Sequence, residues 1–314
     1  MSQVDGLVVV DKPAGCTSHD VVARCRRIFS QRRVGHGGTL DPDATGVLLV
    51  GLGQATRLLQ FLSGLPKRYT AEVVLGVATS TLDASGEITA AWDMNAVTLE
   101  AARAAAEALT GQISQVPPMV SALKVGGRRL HELARAGIEV ERAPRPVTVM
   151  RFDVELSAGP GTEWAELSPR AGPVLALDVE CSAGTYVRSL AADLGTALGG
   201  GAHLRRLRRV AVGSFTVDQA ISLADLQAWP RPAGAVLTPA GALQGMERAV
   251  VAGDVVRAVR HGKVLALRAL EDAGAAGPGP WAVLSGDGTL LAVYERYRSS
   301  EAKPAVVLGG GASG

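Results

Sequence analysis

The stretch Val34–Arg57, "VGHGGTLDPDATGVLLVGLGQATR", sets three glycines, one histidine and two aspartates just ahead of an apolar run. Taken alone it reads as a turn followed by a buried strand, "GVLLVGL", and then a helix, "QATRLLQFL". Asp41 before Pro42 is ordinary turn chemistry, because an aspartate carboxylate bonds its own turn backbone and proline presets the next φ. The same stretch also holds what a reactive site needs. Gly35, Gly37 and Gly38 let backbone approach a ligand closely. His36 offers a planar ring to stack or intercalate. Asp41 and Asp43 are equally good carboxylates on chemistry alone.

Working outward, "GLVVV" (Gly6–Val10) reads as a short buried strand. Thr17 or Ser18 then caps a helix with Val21, Val22, Cys25, Ile28 and Phe29 on one face. "KRYTAEVVLGV" (Lys67–Val77) alternates as a strand, with Tyr69, Ala71 and Val73 on one side. "TLEAARAAAEALTG" is a helix capped by Thr98 and stopped by Gly111. "PVLALDVECS" and "RVAVGSFTV" read as strands, and "TYVRSLAADLGTAL" as a helix. Residues 117–146 form a basic excursion, opening with Pro117-Pro118 and closing with "APRPV". Residues 231–245 read as a linker, 246–308 as a small β-rich module of short apolar runs, and 309–314 as an unstructured tail. Strands and helices alternate irregularly before residue 230, so the class expected is α+β.

At 314 residues and 47% hydrophobic, the chain has enough apolar surface for a sizeable core, and 20% charged residues argue against bulk disorder. A net charge of +2 says little about partners. Local clusters say more: Arg24, Arg26, Arg27, Arg32 and Arg33; Lys124, Arg128, Arg129, Arg135, Arg142 and Arg145; and "HLRRLRRV" with Arg205, Arg206, Arg208 and Arg209. Each is equally consistent with a solvated face or a polyanion site. Cys16, Cys25 and Cys181 are far apart, with no CxxC, which argues against a disulfide framework or zinc site and fits a reducing cytosol. Asp5 and Asp11 bracket the first apolar run, so no signal peptide is read, and no run approaches the roughly 18 residues of a membrane helix. There is no HExxH, Walker lysine or dinucleotide glycine fingerprint.

Five blocks, taken in order, resemble the TruB family of pseudouridine synthases. They are "VVVDKPAGCTSHDVV", the opening stretch, "KRYTAEVVLGVATSTLDASGE", "PPMVSALKVGGRRLHELARAGIEVER" and "CSAGTYVRSLAADLG", covering about residues 5–215. The resemblance implies a mixed, mostly antiparallel sheet with helices, a basic insertion, and a C-terminal PUA-like RNA-binding module. It implies an isomerase that turns uridine 55 in the T-loop of tRNA into pseudouridine without cofactor or metal. It implies Asp41 as nucleophile on a flipped-out uridine, with ribose attack, uracil attack and a glycal route all open. Tyr69 would stack on the uracil. Because a buried carboxylate stays ionised only when paired, Arg188 is implied as the partner of Asp41. His36 would stack into the RNA, with Gly37, Thr39 and Leu40 beside it, and Tyr186 would line the pocket. Lys12 and Lys67 would touch phosphate or support the site. Arg128 and Arg129 would clamp the T-arm, and Arg205 would hold phosphate. Val120 and His131 stand where many relatives have tyrosine, which bears on RNA contacts.

The protein implied is a cytoplasmic monomer that needs no protein partner and no membrane. Three rivals remain at this point. One is a relative that works on guide-RNA targets with partner proteins. Another is a tRNA-folding chaperone, which fits equally as a second role. The last is an aspartate hydrolase, ranked behind the others because no second carboxylate or triad stands at suitable spacing.

Overall fold

The computed structural model describes residues 3–121, 123–125, 127–138, 140–157, 172–229 and 232–308. The expected tail at 309–314 lies outside them, as do Pro230 and Arg231 at the head of the expected linker. Through residue 63 the elements are β1 (Gly6–Lys12), α1 (Ser18–Ile28), β2 (Val34–His36), β3 (Thr45–Leu52), a 3-10 turn (Gly53–Leu58) and α2 (Leu59–Ser63). Residues 64–212 hold β4 (Lys67–Leu75), β5 (Val77–Thr79), β6 (Ile88–Ala91), α3 (Leu99–Ala108), β7 (Gly111–Gln115), β8 (Lys124–Val125) and β9 (Arg128–Arg129). They continue with α4 (Leu130–Arg135), β10 (Arg145–Leu156), β11 (Val174–Cys181), α5 (Val187–Ala197) and β12 (Ala202–Val212). Then come β13 (Phe215–Thr216), β14 (Ile221–Ser222), α6 (Leu223–Ala228), α7 (Pro239–Ala242), β15 (Arg248–Val251) and α8 (Gly253–Arg260). The last elements are β16 (Leu265–Ala266), α9 (Leu267–Glu271), β17 (Trp281–Ser285), β18 (Leu290–Arg298) and β19 (Glu301–Val307).

The chain divides into two compact units: Met1–Pro42 with Val47–Ser63 and Gly213–Gly314, and Asp43–Gly46 with Gly64–Val212. In the first unit β1 lies between β14 and β3, and β2 pairs antiparallel with β3 through Val34↔Leu52 and His36↔Val50. Helix α1 covers this sheet, with Val21, Val22, Cys25 and Phe29 packed on Val8, Val10, Leu48, Val50 and Leu52. Thr17 is its N-cap, in a reciprocal capping box with Asp20. The same unit carries the C-terminal sheet, ordered β15-β17-β18-β19-β16. Its core centres on Trp281, Val283, Ala292 and Tyr294.

This C-terminal module is β-rich, yet two helices interrupt the run of strands expected there. In α8, Val255, Val256 and Val259 fall at helical spacing and pack into the module's core. "KVLALRAL" contributes only a two-residue strand before α9 begins. "RVAVGSFTV" is also not one strand: Gly213, at φ 53°, turns the chain between β12 and β13. The segment expected to be irregular before residue 245 instead holds a 3-10 turn (Pro232–Ala235) and α7, and Leu237 bridges to Leu7.

The second unit is built on the antiparallel order β12-β4-β11-β10-β7. Strand β11 alternates strictly between half-exposed and buried positions, the period-two pattern of a sheet with one face on the core. Thr45 and Gly46 run parallel to Arg208 and Arg209. A side chain at Gly46, at φ 104°, would meet the Arg209 carbonyl oxygen at 2.2 Å, so only glycine lets the two backbones approach.

Candidate active site

In the first unit, Asp41 sits in a loop whose peptides are held on both sides. Leu40 is buried, and its N–H donates to Ser18 Oγ at 2.9 Å while Ser18 Oγ donates back to its carbonyl at 3.2 Å. On the other flank, the Pro42 carbonyl accepts from Lys12 Nζ at 2.8 Å. Lys12 is fully buried and also donates to the carbonyls of Cys16 at 2.7 Å and Pro13 at 2.8 Å. A buried ammonium needs all its protons engaged. Three converging carbonyls supply that, and they tie the end of β1 to the Asp41 turn. Lys12 thus supports the loop. The Asp41 side chain itself is half-buried.

The glycine loop leads into this turn. Gly37 N–H donates to Leu49 O at 2.9 Å, extending the β2–β3 ladder one step past His36. A Cβ at Gly37 would lie in van der Waals contact with Leu59 at 3.4 Å, and Gly38 adopts φ 116°. Thr39 is exposed beside buried Leu40. His36 is half-buried, and its ring meets His19 edge to face, with centroids 5.2 Å apart. The structure therefore places Lys12, His36, Gly37, Thr39, Leu40 and Asp41 together. It adds Ser18, which the sequence suggests only as a helix cap.

In the second unit, Tyr69 lies on β4 between Val179 of β11 and Arg209 of β12. Two residues along the same buried face, Lys67 lies between Cys181 and Val212. Lys67 Nζ donates to Leu65 O at 2.6 Å. Burial, with the Arg209 charge second, lowers the Lys67 ammonium from 10.5 to about 8. Arg209, 1% exposed, completes this row of two cations and a tyrosine. On the opposite face Arg68 forks onto Asp178 at 2.9 and 2.6 Å, and those bonds hold the Asp178 carboxyl below its ordinary value.

Arg188, in the first turn of α5, is 3% exposed. Its guanidinium donates to Thr81 O at 3.0 Å and Val120 O at 2.7 Å, and pairs with Asp83 at 3.5 Å. It thereby joins the β5–β6 connection to the start of the insertion. Asp83 is organised in turn by the hydroxyls of Thr81 and Ser85, both at 2.6 Å. The signal for Asp83 lay within "TSTLDASGE", but no spacing rule in the sequence linked it to an arginine 105 residues away. Tyr186 is the N-cap of α5 without a side-chain cap. Gln115 clamps the peptide groups of Tyr186 instead, accepting from its N–H at 2.7 Å and donating to its carbonyl at 3.1 Å.

The basic residues separate into kinds. Arg205 pairs with Glu72 at 2.9 Å, its side chain 6% exposed, so it braces β12 against β4. Arg128 is exposed at the tip of the β8–β9 hairpin, where Val125 pairs with it. Arg142 donates to Pro117 O at 3.1 Å, closing the base of the insertion. The side chains of Arg129 and His131 lie outside what is described. Among the described residues, no group of three or more His, Cys, Asp or Glu is placed to hold a metal, and no helix is long and apolar enough to cross a membrane.

A family model described as "TruB family pseudouridylate synthase (N terminal domain)" matches residues 26–187, and one described as "tRNA pseudouridylate synthase B C-terminal domain" matches residues 188–250. The chain is 45% identical over 303 residues to the tRNA pseudouridine synthase B of Mycolicibacterium paratuberculosis, covering 96% of this chain and 97% of that protein. It is 50% identical over 225 residues to that of Mycobacterium bovis, 72% of each. Among solved structures, a chain of a Cbf5-Nop10-Gar1 complex superposes with TM-score 0.72 at 28% identity, covering 97% of this chain and 84% of the other. A pseudouridine-synthase sheet, an aspartate turn held from both flanks and the matching sequence blocks agree, and the chain belongs to the TruB family of pseudouridylate synthases.

Proposed function

We propose that the chain converts uridine 55 in the T-loop of tRNA to pseudouridine, with Asp41 as the nucleophile, and that it does so without a protein partner. The observation that carries this reading is the turn around Asp41, held by Ser18 on one side and by Lys12 on the other. A nucleophile gains from a backbone fixed before substrate arrives. The end-to-end match to relatives named tRNA pseudouridine synthase B supports the choice of RNA.

The reaction rearranges one nucleotide. The N1–C1′ bond breaks, the uracil turns, C5 bonds to C1′, the C5 proton leaves and N1 gains a proton. The base must first leave the stack, which costs a few kcal/mol that aromatic stacking partly offsets. Tyr69 is proposed as the ring on which the uracil rests, with Tyr186 as a second pocket wall. His36, at the end of β2, is proposed to fill the gap the base leaves, with Gly37 and Thr39 against the loop backbone. Arg188 is proposed to supply positive charge to the reaction, and Arg128 and Arg129 to contact the T-arm.

The test uses the purified chain alone and an unmodified tRNA transcript. Carbodiimide labelling and primer extension read the position of any pseudouridine. A single new stop at the T-loop uridine is expected, lost when that uridine is changed to cytidine. A stop elsewhere, or none until other proteins are added, contradicts the proposal.

A further inference from the structure

Helix α1 and the turn after it carry Arg24, Arg26, Arg27, Arg32 and Arg33, all exposed, and none has a task in the proposed reaction. Between Ser18 and His36 the sequence offers one acid, Asp20. Its carboxylate is committed to the helix cap, accepting from Thr17 N–H at 2.8 Å and from the Thr17 hydroxyl at 2.7 Å. Those bonds first, and Arg24 only after them, hold its pKa below the ordinary value. Arg26 donates to the Val34 carbonyl at 3.3 Å and Arg33 to Thr56 Oγ1 at 3.0 Å, neither of which neutralises charge.

Among the described residues, none of the five forms an ion pair with a carboxylate, whereas Arg68, Arg103, Arg151 and Arg205 each have an acidic partner. Five like charges on one helix and its turn repel one another and lower stability. A polyanion removes that penalty. The helix starts at the His19–His36 contact. From His19 to Arg27 the axis rises about 12 Å at ~1.5 Å per residue, long enough to meet more than one phosphate of a strand.

We propose that this arginine face is a phosphate-backbone contact for the RNA strand running on from the target loop. It sets affinity and plays no part in the chemistry. The proposal rests on the tRNA reading above and adds a second surface to it.

The test compares wild type, the triple variant Arg24→Gln/Arg27→Gln/Arg32→Gln, the single variant Arg32→Gln, and a control, Arg103→Gln/Arg151→Gln, whose charges are already paired. Binding of a tRNA transcript is measured from low to moderate salt, alongside single-turnover conversion at saturating RNA. The triple variant is expected to bind about tenfold more weakly near physiological salt, with a log–log salt slope shallower by about 2. Arg32→Gln, which lies off the helix, is expected to shift the same quantities by about a third as much on a logarithmic scale. Conversion at saturation should stay within about twofold of wild type, and the control should bind like wild type. An unchanged slope in both the triple variant and Arg32→Gln overturns the proposal, as does equal weakening in the control. If wild type neither binds nor converts the transcript, the tRNA reading itself fails.

Discussion

Ser18 contributes twice at the scale of single residues. It opens helix α1, and its buried hydroxyl both donates to and accepts from Leu40, next to Asp41. Removing the hydroxyl leaves a buried N–H without its partner, at a cost of about 1–3 kcal/mol. Ser18→Ala is therefore expected to lower urea-unfolding stability by about that amount and kcat by about tenfold, with KM for RNA little changed. A kcat equal to wild type would show that the bond holds the loop without serving the reaction. Lys67 gives a pH signature. The unfolded ammonium titrates at its ordinary 10.5 and the folded one at about 8. Between these values the unfolded chain holds a proton that the folded chain has lost, so stability rises with pH there. Below about 8 both states are charged and the burial penalty is constant. The unfolding free energy of wild type minus that of Lys67→Met should be flat from about pH 6.5 to 7.5 and increase from about 8 to 10. A flat difference throughout would contradict the burial argument. Neither the Ser18 nor the Lys12 contact was legible in the sequence. The partners stand 22 and 30 residues away and meet only once β1 and α1 are packed.

Legibility at the scale of elements followed the strength of the local pattern. Helix α3 and strands β4 and β11 have clean periodicity, and the structure places them where the sequence does. "HLRRLRRV" reads as a surface cluster because charge dominates it, yet it lies in β12, where Arg205 is neutralised by Glu72 and Arg209 is enclosed. Helix α8 is masked in the sequence because three of its eight residues are valine in a context of short strands, and β-branched residues favour strands locally. Gly46→Ala puts a methyl group where the Arg209 carbonyl already lies, in a left-handed backbone. It is expected to destabilise the protein by at least about 3 kcal/mol by denaturant unfolding. A stability within about 1 kcal/mol of wild type would mean that β3 and β12 separate freely. The β8–β9 hairpin, with Arg128 exposed at its tip, should be cut by trypsin in the free protein and protected by tRNA. Equal cutting with and without tRNA would remove the insertion from the RNA contact.

The family identity at the scale of the whole molecule rests on a match that runs from end to end. The individual motifs are weaker: the Asp41 turn is, by chemistry alone, a turn. The proposal that it is a reaction centre rests on the order of the five blocks together with the two-sided support of the loop. Basic surfaces dispersed over the chain imply an electrostatic share in RNA binding, so affinity for tRNA should fall steadily with salt. Asp41 is proposed to do chemistry and not merely to shape its turn. The most direct measurement is tritium release from tRNA transcribed with 5-tritiated uridine, using wild type and Asp41→Asn at matched, saturating occupancy. Wild type is expected to release tritium, and the variant to lose at least about a thousandfold in rate with tRNA affinity unchanged within about threefold. Release by Asp41→Asn at a rate near wild type would contradict that proposal.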